Sequence, residues 1–143
     1  MRVFLDASVL LAAAGSELGA SRAIFSYASA QEWSLISSPY ALNEVLRNLE
    51  KLPPDATTAW LRLRLQLNVV DDVVSLDRPV IFAASKNRPI LFTALAWSTV
   101  LLTLDKSDFA DVLGGQFYGL NVLLPYSFLE RERAAGRLAD RAR

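Results

Sequence analysis

Four acidic residues are placed where they could do chemistry together. Asp6 follows the apolar triplet Val3-Phe4-Leu5, and Asp105 follows the β-branched, apolar run Thr99-Val100-Leu101-Leu102-Thr103. Glu44, with Asn43 beside it, falls in the first turns of a helix that Pro39 opens after the strand-like Ser34-Leu35-Ile36-Ser37. Asp108 stands one helical turn beyond Asp105. If the three apolar segments lie parallel in one sheet, the residues just past their carboxyl ends share an edge. Asp6, Glu44 and Asp105 then converge, and Asp108 can join them. Crowded carboxylates repel: two unit charges about 4 Å apart cost roughly 4 kcal/mol at an effective dielectric of about 20. A proton or a cation relieves the repulsion. Carboxylates with water in the remaining positions suit Mg²⁺ or Mn²⁺, and phosphate oxygens are natural further ligands. Such an ion lowers the pKa of a bound water and neutralises phosphodiester charge.

Each residue alone has a plainer reading. An Asp after a strand is commonly a helix cap, a Glu on a helix commonly faces water, and an Asp at a helix start complements the dipole. Their joint placement on one predicted edge favours a shared site.

Composition narrows the chemistry. The chain of 143 residues contains no cysteine and no histidine. Disulfides, thiolate zinc sites, cysteine nucleophiles, Ser-His-Asp hydrolysis and histidine bases are therefore excluded. With 52% hydrophobic and 21% charged residues, the chain suits one packed domain over residues 1–143, and disorder is excluded. Formal net charge is zero, so nucleic-acid binding would need a local patch or metal ions. No apolar run reaches the roughly 18 residues that span a bilayer, so no membrane association is expected. Asp6 interrupts the N-terminal apolar run too early for a signal peptide, and the expected compartment is the cytoplasm.

The elements that must position these residues alternate. Val3–Leu5 reads as a strand, Ser8 as the cap of a helix carrying Val9 to Ala12, and Ser21 as the start of a second helix after the Gly15–Gly19 break. Leu42, Val45, Leu46 and Leu49 share a face of the Pro39 helix, and Ala56–Leu67 reads as a further helix. Val69-Val70 and Val73-Val74 flank an Asp pair and suggest a strand. Asp77–Ala84 echoes Asn87–Ala94, and the second copy opens a helix through Trp97. Ser107 and Asp108 start a short helix ended by Gly114-Gly115. Asn121–Leu124 is a last strand, and Pro125 opens a charged helix that frays from about residue 137. The predicted class is α/β: a three-layer sandwich with a central, mostly parallel sheet covered by helices. Ligands in such sheets sit outside the carboxyl ends of the strands.

The segments around the acids resemble the motifs of PIN-domain proteins, of which the VapC-like toxin ribonucleases are small members. The resemblance lies in Val3-Phe4-Leu5-Asp6-Ala7-Ser8-Val9-Leu10, in Leu42-Asn43-Glu44-Val45, in Leu102-Thr103-Leu104-Asp105-Lys106-Ser107-Asp108-Phe109, and in Asn121-Val122 through Pro125-Tyr126-Ser127-Phe128-Leu129. It implies a PIN-like fold and a Mg²⁺- or Mn²⁺-dependent ribonuclease, the toxin of a toxin–antitoxin pair. It also implies RNA and an antitoxin protein as partners, and a homodimer. Asp6, Glu44 and Asp105 match the family's catalytic and metal-binding acids, and Asp108 a less regular one. Ser8, Thr103 and Asn43 match supporting polar positions. The family usually supplies a further Asp before the late strand, where this chain has Asn87. An amide oxygen can ligate but brings no charge, so the resemblance leaves a second outcome: a catalytically weakened PIN-like module that binds RNA or protein. Asp77 could replace Asn87 if the echo segment shifts register. A phosphatase-like reading with Asp6 as nucleophile normally needs a second Asp two residues on, where Ser8 stands.

Arg88 and Lys106 are the cations expected to meet RNA phosphates near the site. The arginines of the C-terminal helix read more simply as a solvated face, and Trp33, Trp60 and Trp97 as core or dimer residues.

Overall fold

The structure is a computed structural model and describes residues 1–75 and 87–139. The Asp77 echo segment, Arg78 and Lys86 lie outside the described residues.

Six strands form one sheet: β1 (Arg2–Leu5), β2 (Ser34–Ser37), β3 (Asn68–Val69), β4 (Val100–Leu102), β5 (Gln116–Phe117) and β6 (Leu120–Leu123). Six helices flank it: α1 (Ala7–Gly15), α2 (Ala20–Gln31), α3 (Pro39–Asn48), α4 (Asp55–Arg64), α5 (Arg88–Trp97) and α6 (Pro125–Ala134). The strand order is β3-β2-β1-β4-β6-β5, parallel throughout except for the β5–β6 pair. The predicted α/β sandwich is the observed fold class.

Phe4, Leu5, Ile36, Leu101 and Leu102 are fully buried, as the central strands of a sheet covered by helices must be. From β1 the chain builds outward through β2 to β3. It then returns through α5 to β4 on the other flank of β1. The direction of winding therefore reverses between β1 and β4. A crevice opens at such a point, outside the carboxyl ends of the two strands.

Several local expectations are corrected. Asp6, not Ser8, caps α1: its backbone is extended (φ −67°, ψ 157°) and its side chain accepts from the Ala7 amide. Gly19 rather than Ser21 precedes the first turn of α2. Leu46 is 62% exposed, because the buried stripe of α3 runs through Ala41 and Val45. Residues 106–114 form successive hydrogen-bonded turns instead of a helix, with Val112 and Leu113 both donating to the Phe109 carbonyl at 3.0 and 2.8 Å. A bifurcated acceptor of that kind stops the regular i→i−4 ladder. β5 was not anticipated. It pairs back on β6 through Tyr118-Gly119, both at positive φ (49° and 88°), the conformation a two-residue hairpin requires. The chain stays packed beyond the expected fraying point, since Leu138 is buried and Arg137 pairs with Glu132. Residues 140–143 lie outside the described residues.

Candidate active site

Asp6 ends β1 and begins α1, and its carboxylate is held from three sides. Ala7 N donates to Oδ1 at 2.7 Å. Ser8 Oγ and Thr103 Oγ1 donate to Oδ2 at 3.1 and 2.8 Å. Thr103 follows β4, so that last bond ties the two strands on either side of the crevice. Thr103 Oγ1 also accepts from Asp105 N at 3.1 Å, and Ser8 Oγ accepts from Leu104 N at 3.0 Å. Both hydroxyls thus join Asp6 to the Asp105 loop.

Asp6 is only 4% exposed. Burial pushes its carboxyl up to about 6 from the ordinary 3.8, opposed by the hydrogen bonds from Thr103, Ser8 and Ala7 and reinforced slightly by the charge of Glu44. Asp105 turns its own loop: Oδ1 accepts from Asp108 N at 3.0 Å and from Ser107 Oγ at 3.3 Å. Glu44 is carried by α3, whose start is fixed by Asp72. Both Asp72 carboxylate oxygens lie 3.2 Å from the Tyr40 amide, at the positive end of the helix.

Asp6, Glu44, Asp105 and Asn87 line one pocket of about 250 Å³, with Ser8, Leu11, Tyr40 and Asn48. A larger cleft of about 440 Å³, lined by Glu17, Arg22, Asp55 and Arg62, lies where α1 ends against α4 and away from the strand ends. The smaller pocket is the chemical candidate, because it gathers Asp6, Glu44 and Asp105 at the sheet's switch point.

The remaining expected residues divide. Asp108 does not line the pocket; its Oδ2 accepts from Asn87 Nδ2 at 2.7 Å. Asn43 is exposed and turned away, since adjacent helix residues point about 100° apart. Tyr40 and Asn48, four residues before and after Glu44, share its face instead. That i, i+4, i+8 spacing was readable in the sequence and was missed. Arg88 is exposed at the start of α5 and does not line the pocket. Lys106 lines a different cleft.

Among the described residues no three carboxylates stand close enough to grip an ion between them. The donors nevertheless suit Mg²⁺ or Mn²⁺, which accept one or two carboxylates with water completing the shell. Asp6 carries this test of fit. Its buried carboxylate is costly to ionise, its hydrogen-bond partners are all uncharged, and it borders a pocket where a cation would supply the missing charge.

No protein-family model matches the sequence, and no curated protein matches it. The fold is similar to a chain in the crystal structure of VapBC2 from Rickettsia felis bound to a DNA fragment from their promoter. That likeness has a TM-score of 0.58 at 15% identity and covers 85% of this chain and 97% of that one. At such identity it is a likeness of fold.

Proposed function

We propose that this chain is a metal-dependent ribonuclease of the PIN type and the toxin of a toxin–antitoxin pair. The observation that carries the reading is the pocket at the β1/β4 switch point, where Asp6, Glu44 and Asp105 arrive from three separate elements. The fold's likeness to a chain of the VapBC2 complex supports it. Asp6 and Asp105 would hold the ion, with the Asn87 amide oxygen and Asp108 as further candidates. Bound Mg²⁺ or Mn²⁺ supplies a water of lowered pKa and offsets charge on the phosphodiester. Ser8 and Thr103 fix the Asp6 carboxylate in one orientation. Glu44, which belongs to a different helix and lines the same pocket, would accept a proton. The proposed partners are RNA, an antitoxin protein and a second copy of the chain. Leu46 on α3 and Leu61 and Leu65, on and just after α4, offer exposed apolar surface for the last two.

The decisive experiment is RNA cleavage with Mn²⁺, with chelator, and with Glu44→Gln. Cleavage should require the metal and fall at least about a hundredfold in the variant, whose thermal unfolding should match the wild type. Cleavage that ignores both changes would refute the assignment.

One observation favours a second reading, a PIN-like module that binds RNA or protein with weakened catalysis. The position where the family usually has an Asp carries Asn87, and its amide is already committed to Asp108. RNA binding without Mn²⁺-dependent cleavage would select this reading.

A further inference from the structure

The acids that would draw a metal into the carboxylate pocket also repel its substrate. An RNA strand carries a negative charge at every linkage, and basic side chains usually offset part of it. Among the described residues that line the pocket none is basic, and neither Arg88 nor Lys106 is one of them. A cation does reach the pocket wall, from the far end of α3.

Tyr40, Glu44 and Asn48 recur every four residues and put one face of α3 into the pocket. Beyond Asn48 the chain tightens into a single 3-10 turn, Leu49–Lys51. Residues three apart eclipse in such a turn, so Lys51 continues the stripe past Asn48. Its backbone is held, because Leu49 is buried and Leu52 N donates to Leu49 O at 3.1 Å. Asn48 then places the side chain. Its Nδ2 donates to Glu44 O at 2.8 Å, one turn back on α3. That bond leaves Oδ1 as the acceptor, and Lys51 Nζ donates to it at 2.9 Å. The reverse amide orientation would set NH2 against the ammonium and oxygen against the carbonyl, so the two bonds fix one arrangement. The ammonium therefore stands against a residue of the pocket wall, one helical turn, roughly 6 Å along the axis, beyond Glu44. Lys51 is exposed, its partner is a neutral amide, and among the described residues no carboxylate pairs with it. Its charge is free for an anion beside the pocket.

We propose that Lys51 binds the substrate, holding a phosphate of the RNA strand next to the linkage at the carboxylates. Resting on the ribonuclease reading, that linkage is the one cleaved; the phosphate contact itself needs only that RNA enters the pocket. One turn away from Glu44, the cation meets a neighbouring phosphate and not the one under attack. Its loss should weaken binding without slowing the chemical step.

The test is fluorescence anisotropy of a labelled single-stranded RNA, with Mn²⁺, on full chains that all carry Glu44→Gln so that the strand stays intact. Adding Lys51→Ala should weaken binding about twofold to fivefold. It should also lower the slope of log Kd against log salt by about 0.7, the contribution of one phosphate on a single strand. Lys51→Arg, which keeps the charge, should keep both. Lys106→Ala removes the same charge from a different cleft and should leave the slope at that of the parent. Equal affinity and slope with and without Lys51→Ala, an equal loss from Lys106→Ala, or no saturable RNA binding by the parent would each overturn the proposal. In the cleavage assay, with Glu44 intact, Lys51→Ala should raise KM with kcat unchanged. A lowered kcat at unchanged KM would overturn the placement on a neighbouring phosphate. Binding that depends on Lys51 without any Mn²⁺-dependent cleavage would uphold the contact and refute the ribonuclease reading alone.

Discussion

Asp6 caps a helix, ties two strands through Thr103, and borders the pocket with a carboxylate that burial makes costly to ionise. The plain expectation for it, a helix cap, is met by the oxygen that accepts from Ala7, and the role proposed for it in the pocket would use the same carboxylate. Its raised pKa has a defined consequence for stability. Between about pH 4 and pH 6 the folded chain holds a proton that the unfolded chain releases, so this contribution is present at low pH and lost as pH rises through about 6. The loss amounts to about 3 kcal/mol. Urea unfolding at pH 5 and pH 7 should show wild type losing stability that Asp6→Asn retains; parallel changes in the two proteins would contradict the assignment. Asn87 permits a second test. Asn87→Asp would face Asp108 across the 2.7 Å now spanned by a hydrogen bond. Without metal the variant should lose about 1–3 kcal/mol, the cost of a broken bond and a like-charge contact. With Mn²⁺ it should bind about tenfold more tightly. The exchanged pair Asn87→Asp with Asp108→Asn should recover apo stability and keep the tighter binding. Calorimetric titration of the three proteins decides this, and equal affinities would place position 87 outside the ion's reach.

Strand ends, more than helix faces, made this site legible. β1, β2 and β4 could be read because short apolar runs end at Asp6, at Ser37 before Pro39, and just before Asp105, and a parallel sheet puts such ends on one edge. α3 was legible as a helix but less so as a surface. Leu46 fits an apolar spacing but faces solvent, because the face that packs on the core runs through Ala41 and Val45, and which of two apolar stripes is buried depends on the tertiary packing. The spacing of Tyr40 and Asn48 about Glu44, by contrast, was there to be read. The turns after Asp105 looked helical, yet Asp105 draws the Asp108 amide to its own side chain and the chain turns instead. The β5–β6 hairpin was hidden because its strand has only two residues and its turn carries Tyr118, a poor match for positive φ. Gly119, at φ 88°, takes up the strain there. Gly119→Ala should therefore cost about 1 kcal/mol in urea unfolding, although a Cβ at that position would meet nothing within 4 Å. A neutral effect would show that the hairpin relaxes freely.

For the molecule as a whole, no described helix is long and apolar enough to cross a membrane. The larger apolar side chains left exposed include Leu46, Leu61 and Leu65 at 62%, 64% and 86%. If a second copy covers them, the double variant Leu61→Glu and Leu65→Glu should shift sedimentation toward monomer at micromolar concentration, with its helical circular dichroism unchanged. A wild-type chain already monomeric there would remove this surface from the dimer. The hydrogen bond between Thr103 and Asp6 joins residues 97 positions apart. On a ribosome, β1 and α1 emerge long before β4, and Asp105 follows β4 by only a few residues. A nascent chain shorter than that carries Asp6 and Glu44 with neither the strand that anchors the first nor the acid that completes the set. The pocket thus comes into being only once β4 and the loop after it have been made, so a nascent chain that stops short of them lacks the site of the nuclease proposed here.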